Sequence, residues 1–248
     1  MSANVVRDIP YIHDGTNMLG LLVAQESSPS ASTILLFHDA FGLGSMAIEW
    51  AHVYAELGYT VVAADVWGER TTAGSEGEIG PLIGSMVSDR ERWLARAAAA
   101  LEAARQQPEV DSRKVVAVGY CFGGSTALEL LRNGGDLRGV VSIHGGFDLL
   151  EKGWSAANPS ASVLLCTGAD DPMATRAQRD TLTGELDEAG LDWELDVYSD
   201  TRHAFTSPDA TRSPRPDIIA YNPRSARRAW RSTQAFLAEI LDGDPPTS

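Results

Sequence analysis

Short apolar runs recur along the chain at residues 34–37, 61–64, 115–118, 140–143 and 163–166. They are rich in valine, leucine and isoleucine and do not alternate with polar residues, the pattern of strands covered on both faces in a parallel sheet. Helical patterns lie between them. Residues 88–107 open with Ser88 and Glu91 at capping-box spacing, place Trp93, Leu94, Ala97, Ala98 and Leu101 on one face and stop at Pro108. Residues 176–189, closed by Gly190, and 225–241 read the same way. At the start, segments 5–12 and 18–24 flank Asp14-Gly15, a hairpin turn signal, so the sheet is expected to begin with an antiparallel pair. The sum is an α/β architecture: a mostly parallel sheet of right-handed crossovers, an N-terminal antiparallel hairpin, and helices on both faces.

Two stretches exceed ordinary connectors of about 2–6 residues. Residues 66–87 hold five glycines, and residues 200–221 hold Pro208, Pro214 and Pro216. Both follow strand C-termini, the edge where open α/β sheets bind ligands, which makes them candidate lids or pocket walls. Residues 243–248 read as a flexible tail, and no repeat of 20–50 residues is present.

Composition narrows the function classes. At 248 residues and 44% hydrophobic content, the chain is expected to form a single domain over residues 1–248. Its 20 basic and 34 acidic side chains give a net charge of -14, which argues against a nucleic-acid surface. No apolar run approaches the about 18 residues of a membrane span and no leader pattern is visible, so a cytoplasmic location without membrane contact is expected. Two cysteines cannot build a disulfide framework, so each is read as core or as chemistry.

Cys121 is read as chemistry. Gly119-Tyr120-Cys121-Phe122-Gly123-Gly124 lies between a buried strand and a helix continuing through Ala127, Leu128 and Leu131. It has the G-x-S-x-G nucleophile-elbow layout of α/β hydrolases with sulfur for oxygen. The sharp turn demands small neighbours, and the helix N-terminus beneath favours thiolate over thiol. Cys166, inside an apolar run, reads as core. A thiol nucleophile needs a base and an orienting acid, which in this layout follow in the order nucleophile, acid, histidine. Gly168-Ala169-Asp170-Asp171-Pro172 and Arg202-His203-Ala204-Phe205 supply them; Asp171 is favoured over Asp170 because it turns with the loop before Pro172. The N–H of Phe122 and that of Ala40, in the loop after the first central strand, are the expected oxyanion donors. Asp39 is expected at the mouth of the site, to restrain or activate the thiol or to meet substrate, with a plain loop-stabilising aspartate as the alternative. His38 and His144 read as structural hydrogen-bonders, and His13 and His52 have no evident partner. Without paired cysteines or His-x-x-x-His, no metal and no cofactor are expected.

A rival signal is Gly42-x-Gly44-x-x-Ala47 with Asp65 beyond it, which imitates a dinucleotide fingerprint. It points to an NAD-dependent oxidoreductase, but residues 38–41 separate the strand from the first glycine and the elbow would go unexplained. A non-catalytic ligand-binding homologue of the same fold is the other alternative.

The chain resembles the dienelactone hydrolase family, the cysteine branch of α/β hydrolases. The resemblance runs from His13-Asp14-Gly15 through Phe37-His38-Asp39-Ala40-Phe41-Gly42, the cysteine elbow, Ser142-Ile143-His144-Gly145 and Gly168-Ala169-Asp170-Asp171 to Arg202-His203-Ala204-Phe205. It implies a Cys121-His203-Asp171 triad, oxyanion donors at Phe122 and Ala40, and hydrolysis of a small ester or lactone through a thioester by a monomer or small homo-oligomer. Two positions depart from the family. Asp39 stands where the family has a glutamate bonded to the resting thiol. Ser207 stands where dienelactone-cleaving members have a carboxylate-binding arginine; Arg70, Arg90 and Arg202 are the candidate replacements.

Overall fold

A computed structural model describes residues 4–26 and 31–242; the expected tail at 243–248 lies outside the described residues. Eight strands form one sheet in the order β1-β2-β4-β3-β5-β6-β7-β8. They are β1 (Asn4–His13), β2 (Thr16–Gln25), β3 (Ala31–Phe37), β4 (Thr60–Ala64), β5 (Val110–Tyr120), β6 (Gly139–Ile143), β7 (Ser162–Gly168) and β8 (Asp192–Tyr198). The first two form the expected hairpin, with Asp14 and Gly15 both at positive φ (45° and 72°), as a two-residue turn matching the strand twist requires. β2 then joins β4 antiparallel, and every later pairing is parallel.

The helices are α1 (Ser45–Glu56), α2 (Glu76–Val87), α3 (Arg90–Arg105), α4 (Phe122–Arg132), α5 (Arg176–Glu188) and α6 (Pro223–Leu237). Two cores flank the sheet, and consecutive residues of one strand feed opposite ones. Leu35 and Phe37 pack with Trp93 of α3, Leu128 of α4 and Leu186 of α5. Ile34 and Leu36 pack with Tyr54 of α1 and Phe236 of α6. That alternation explains why the central strands carry unbroken apolar runs.

Three boundaries differ from the sequence reading. Residues 66–87 are not all loop, since their second half forms α2 despite Gly77, Gly80, Pro81 and Gly84. Because the backbone N–H of Ser88 still bonds Gly84 at the end of α2, the cap of α3 falls on Asp89, whose carboxylate accepts the Arg92 N–H at 3.1 Å; Ser88 and Glu91 make no capping box. α6 starts two residues earlier than expected, capped by Asn222, and ends in a wider turn at Ala238–Asp242. The edge strand β8 was not among the five apolar runs because acidic residues are interspersed through it.

Candidate active site

The elbow joins β5 to α4 at Cys121, whose backbone takes φ 54° and ψ -121°, a region that costs a non-glycine residue about 1–3 kcal/mol. Its surroundings leave no room for side chains. A Cβ on Gly119 would lie 2.0 Å from the Gly123 carbonyl oxygen, and one on Gly123 would lie 2.2 Å from that of Phe37. The turn can therefore pass only on glycine, with the strand ends of β3 and β5 packed directly against the first turn of α4. Phe122 occupies the first position of α4, where a helix N–H has no intrahelical acceptor.

Two other loops bring their side chains to the sulfur. Asp171 follows β7, and His203 follows β8. The loops touch at Gly168, where a Cβ would lie 2.1 Å from the Thr201 carbonyl oxygen. Residues 200–221 fold back as a strap around His203: its N–H donates to Ile218 O at 3.0 Å, and its carbonyl accepts the Ala220 N–H at 3.1 Å. His203 Nε2 lies 3.1 Å from Cys121 Sγ, and its Nδ1 lies 2.9 Å from Asp171 Oδ2. The other carboxylate oxygen of Asp171 accepts the Met173 N–H at 2.9 Å, while neighbouring Asp170 is exposed. Burial opposes a charge on His203, but a Cys121 thiolate and the Asp171 hydrogen bond outweigh it and raise the imidazole to about 10. Cys121 is partly exposed; Cys166 is fully buried in β7, and burial pushes its thiol up to about 12.

The sulfur faces a cavity of about 820 Å³, within the size range of small-molecule sites. Its walls are mainly apolar, including Trp50, Met46, Ile79, Ile83, Met173 and Ile219. Both long stretches contribute: α2 and residues 72–73 form one side of the roof, and the strap from Ala204 to Ile219 forms the other. A hydrogen bond from Ser213 Oγ to Glu76 Oε1, 2.9 Å, joins them.

Asp39 and Ala40 line the cavity beside Cys121. Burial raises the Asp39 carboxyl to about 6, against the opposing pull of the Phe41 N–H and of His203. Its Oδ1 accepts the Phe41 N–H at 2.9 Å, and among the described residues no hydrogen bond joins Asp39 to the thiol. His38 is buried, held by Asp39 O at 2.6 Å and the Val66 N–H at 3.2 Å, consistent with a structural part. His144 lines the cavity instead and touches both the elbow and His203.

None of the three proposed arginines lines the cavity. Arg70 is turned away onto Asp8 and the carbonyls of Leu19 and Gly20, and Arg90 binds Glu129 and Leu149 O. Arg202 neighbours His203 without reaching the cavity. The arginine that does line it is Arg215, brought back over the site by the strap twelve residues after His203. Asp65, the acid of the dinucleotide-like pattern, already accepts the N–H groups of Leu19, Gly68 and Arg70 with its carboxylate.

Comparison with known proteins places the chain in a family and a fold. A model of the dienelactone hydrolase family matches residues 18–241. A dienelactone hydrolase-like promiscuous phosphotriesterase from metagenomic libraries is 33% identical, with a TM-score of 0.91 over 97% of this chain and 100% of that one. The dienelactone hydrolase of Anabaena variabilis, 19% identical, shares the fold at a TM-score of 0.66 over 96% of this chain and 99% of the other. An uncharacterized protein of Caenorhabditis elegans is 30% identical over 158 residues, 63% of this chain and 99% of its own length. No helix among the described residues is long and apolar enough to cross a membrane.

Proposed function

The chain belongs to the dienelactone hydrolase family, and from that premise we propose that it hydrolyses small esters or lactones with Cys121 as nucleophile, His203 as base and acid, and Asp171 as the orienting carboxylate. The observation that carries this reading is the unbroken chain of short contacts, 3.1 Å from sulfur to His203 and 2.9 Å from His203 to Asp171, at the bottom of an apolar cavity. The thiolate adds to the carbonyl carbon, and the electron pair moves to the oxygen, which the N–H groups of Phe122 and Ala40 receive. When the C–O bond breaks, His203 gives its Nε2 proton to the departing alkoxide, leaving a thioester. His203 then takes a proton from water as the water oxygen adds to the thioester carbon; the C–S bond breaks, and the acid and the thiolate are restored. Amides fit poorly, because the thiolate leaves the tetrahedral intermediate more readily than an amine. The setting proposed is a cytoplasmic, one-domain enzyme without a cofactor.

Arg215, rather than Arg70, Arg90 or Arg202, is the cation proposed to meet a carboxylate-bearing substrate. The similarity to a promiscuous phosphotriesterase supports a phosphotriester as a second substrate class, in which the thiolate displaces one alkoxide or aryloxide from phosphorus, His203 protonates that leaving group, and water then cleaves the P–S bond. The test is a panel of lactones, aryl esters and thioesters with and without a carboxylate, plus the phosphotriester. Cys121→Ala should abolish turnover, and iodoacetamide should label Cys121 well before Cys166 and remove activity. Full activity after labelling Cys121 rejects the reading. Ligand binding without turnover in the parent protein supports the non-catalytic alternative, and a thermal shift with NAD(P) supports the oxidoreductase.

A further inference from the structure

The nucleophile and its base come from loops 82 residues apart, and one side chain bridges them. His144 sits at the C-terminal end of β6 with φ 40°, its N–H bonded to Cys166 O at 2.8 Å and its side chain almost wholly buried. Its Nδ1 lies 3.1 Å from the Cys121 backbone N, whose N–H is shared with Ile143 O at 3.0 Å. Because Nδ1 accepts, the ring proton is on Nε2, which donates to Thr206 Oγ1 at 2.8 Å. Thr206 belongs to the strap that carries His203. The ring also stands edge-on to His203, centroids 5.3 Å apart, and to Phe205 at the same distance.

We propose that His144 is a positioning residue: its neutral imidazole pins the strained elbow to the histidine strap and so sets the separation of Cys121 Sγ and His203 Nε2. This rests on the hydrolase reading above. The ring is suited to the task because it carries an acceptor and a donor on opposite sides, one for each loop, and places no second positive charge beside His203. Phenylalanine would fill the space and keep the edge contact while losing both hydrogen bonds. Asparagine can present an acceptor near the Nδ1 position, and glutamine a donor near the Nε2 position.

The experiment compares His144→Phe, His144→Asn and Thr206→Val with the parent protein. Its readouts are kcat and KM for p-nitrophenyl acetate, the Tm, and the iodoacetamide alkylation rate of Cys121 by intact mass. Small misplacements of reacting groups can cost about 100-fold, so His144→Phe is expected to lower kcat by about 10–100-fold with little change in KM, and to change the alkylation rate. His144→Asn should recover part of the kcat, and Thr206→Val should lose less than His144→Phe. A purely structural role would lower Tm while leaving kcat per folded molecule and the alkylation rate unchanged, and that result overturns the proposal. If His144→Phe does not fold, parent-like kcat and alkylation in Thr206→Val overturn it instead. Alkylation needs no substrate, so the positioning claim is tested even where the Cys121→Ala result rejects hydrolysis.

Discussion

Beneath the cavity, Gly119, Gly123 and Gly124 are wedged against neighbouring backbone and side chains, whereas above it Gly77, Gly80 and Gly84 of α2 have almost nothing near the position of a Cβ. The lower glycines exist because three strand ends and a helix converge on the elbow. The upper ones weaken a helix: each costs about 1 kcal/mol relative to alanine, and Pro81 removes a backbone donor from its interior. Only Met86 of α2 is fully buried. The floor is thus closely packed where Cys121 and His203 come together, while the roof helix combines poor helix formers with little burial, features of elements that open at low cost. The same residue type marks close packing in one place and a weakly favoured helix in the other, and only the space around it distinguishes the two.

The sharpest way to break this contrast is Gly123→Ala. A Cβ there meets the carbonyl oxygens of Phe37 and His38 at 2.2 and 2.5 Å, both backbone atoms, so the expected loss is about 3 kcal/mol or more, or no folded protein. A parent-like Tm would show that the elbow has slack.

Asp39, at the edge of the floor, gives a pH-dependent test. Its carboxyl is raised to about 6, so between about pH 4 and 6 the folded state binds more protons than the unfolded chain and stability falls as pH rises through that window. Asp39→Asn keeps an acceptor for Phe41 and removes the buried charge. It should stabilise the protein at pH 7 by up to about 2–3 kcal/mol and hardly at all at pH 4, as followed by thermal unfolding at both values. Equal effects at the two pH values would mean that Asp39 is better solvated than its burial suggests.

The roof predictions are smaller and opposite in sign to the floor's. Gly77→Ala with Gly84→Ala should raise stability by about 0.5–1 kcal/mol per site and slow turnover of bulky esters more than of small ones, if α2 must yield for entry. A loss of stability would show that these glycines are packed after all. Ser213→Ala removes the hydroxyl that joins the strap to Glu76 and should cost about 0.5–1 kcal/mol or less, read most sensitively as faster proteolysis within α2.

Much of this floor was legible along the chain. The five apolar runs became β3 to β7 because strands covered on both faces cannot hide their composition. The elbow was legible because its glycines stand at fixed offsets from one cysteine, although the nearest atoms that Gly123 and Gly124 meet belong to Phe37, His38, Ser142 and Gly145, distant in the chain. Asp171 and His203 were placed by their order after Cys121, and the structure brings all three together. The roof was not legible in the same way. A segment with three glycines and a proline reads as a loop, and α2 forms there with Met86 in the core that holds Trp93 of α3 and Glu76 bonded to the strap rather than from propensity. The arginines failed for the same reason: Arg70 and Arg90 found acceptors far from the sulfur, and Arg215 reaches the cavity only because the strap returns. The two partners of the His144 ring lie 23 and 62 residues away, so no local pattern announces that it is a bridge.

The sequence by itself therefore determined the parallel sheet, the hairpin at its edge and which of two cysteines stands at a tight strand-to-helix turn, because side-chain patterning and turn chemistry act over a few residues, while the family was legible as a resemblance of motifs spread along the chain. Only the tertiary structure decided which arginine faces the cavity, that a weak helix covers it, and that the buried imidazole of His144 joins the Cys121 turn to the strap carrying His203. Those outcomes depend on which distant groups compete for one donor, one acceptor or one patch of apolar surface, and that competition is settled only when the chain is closed.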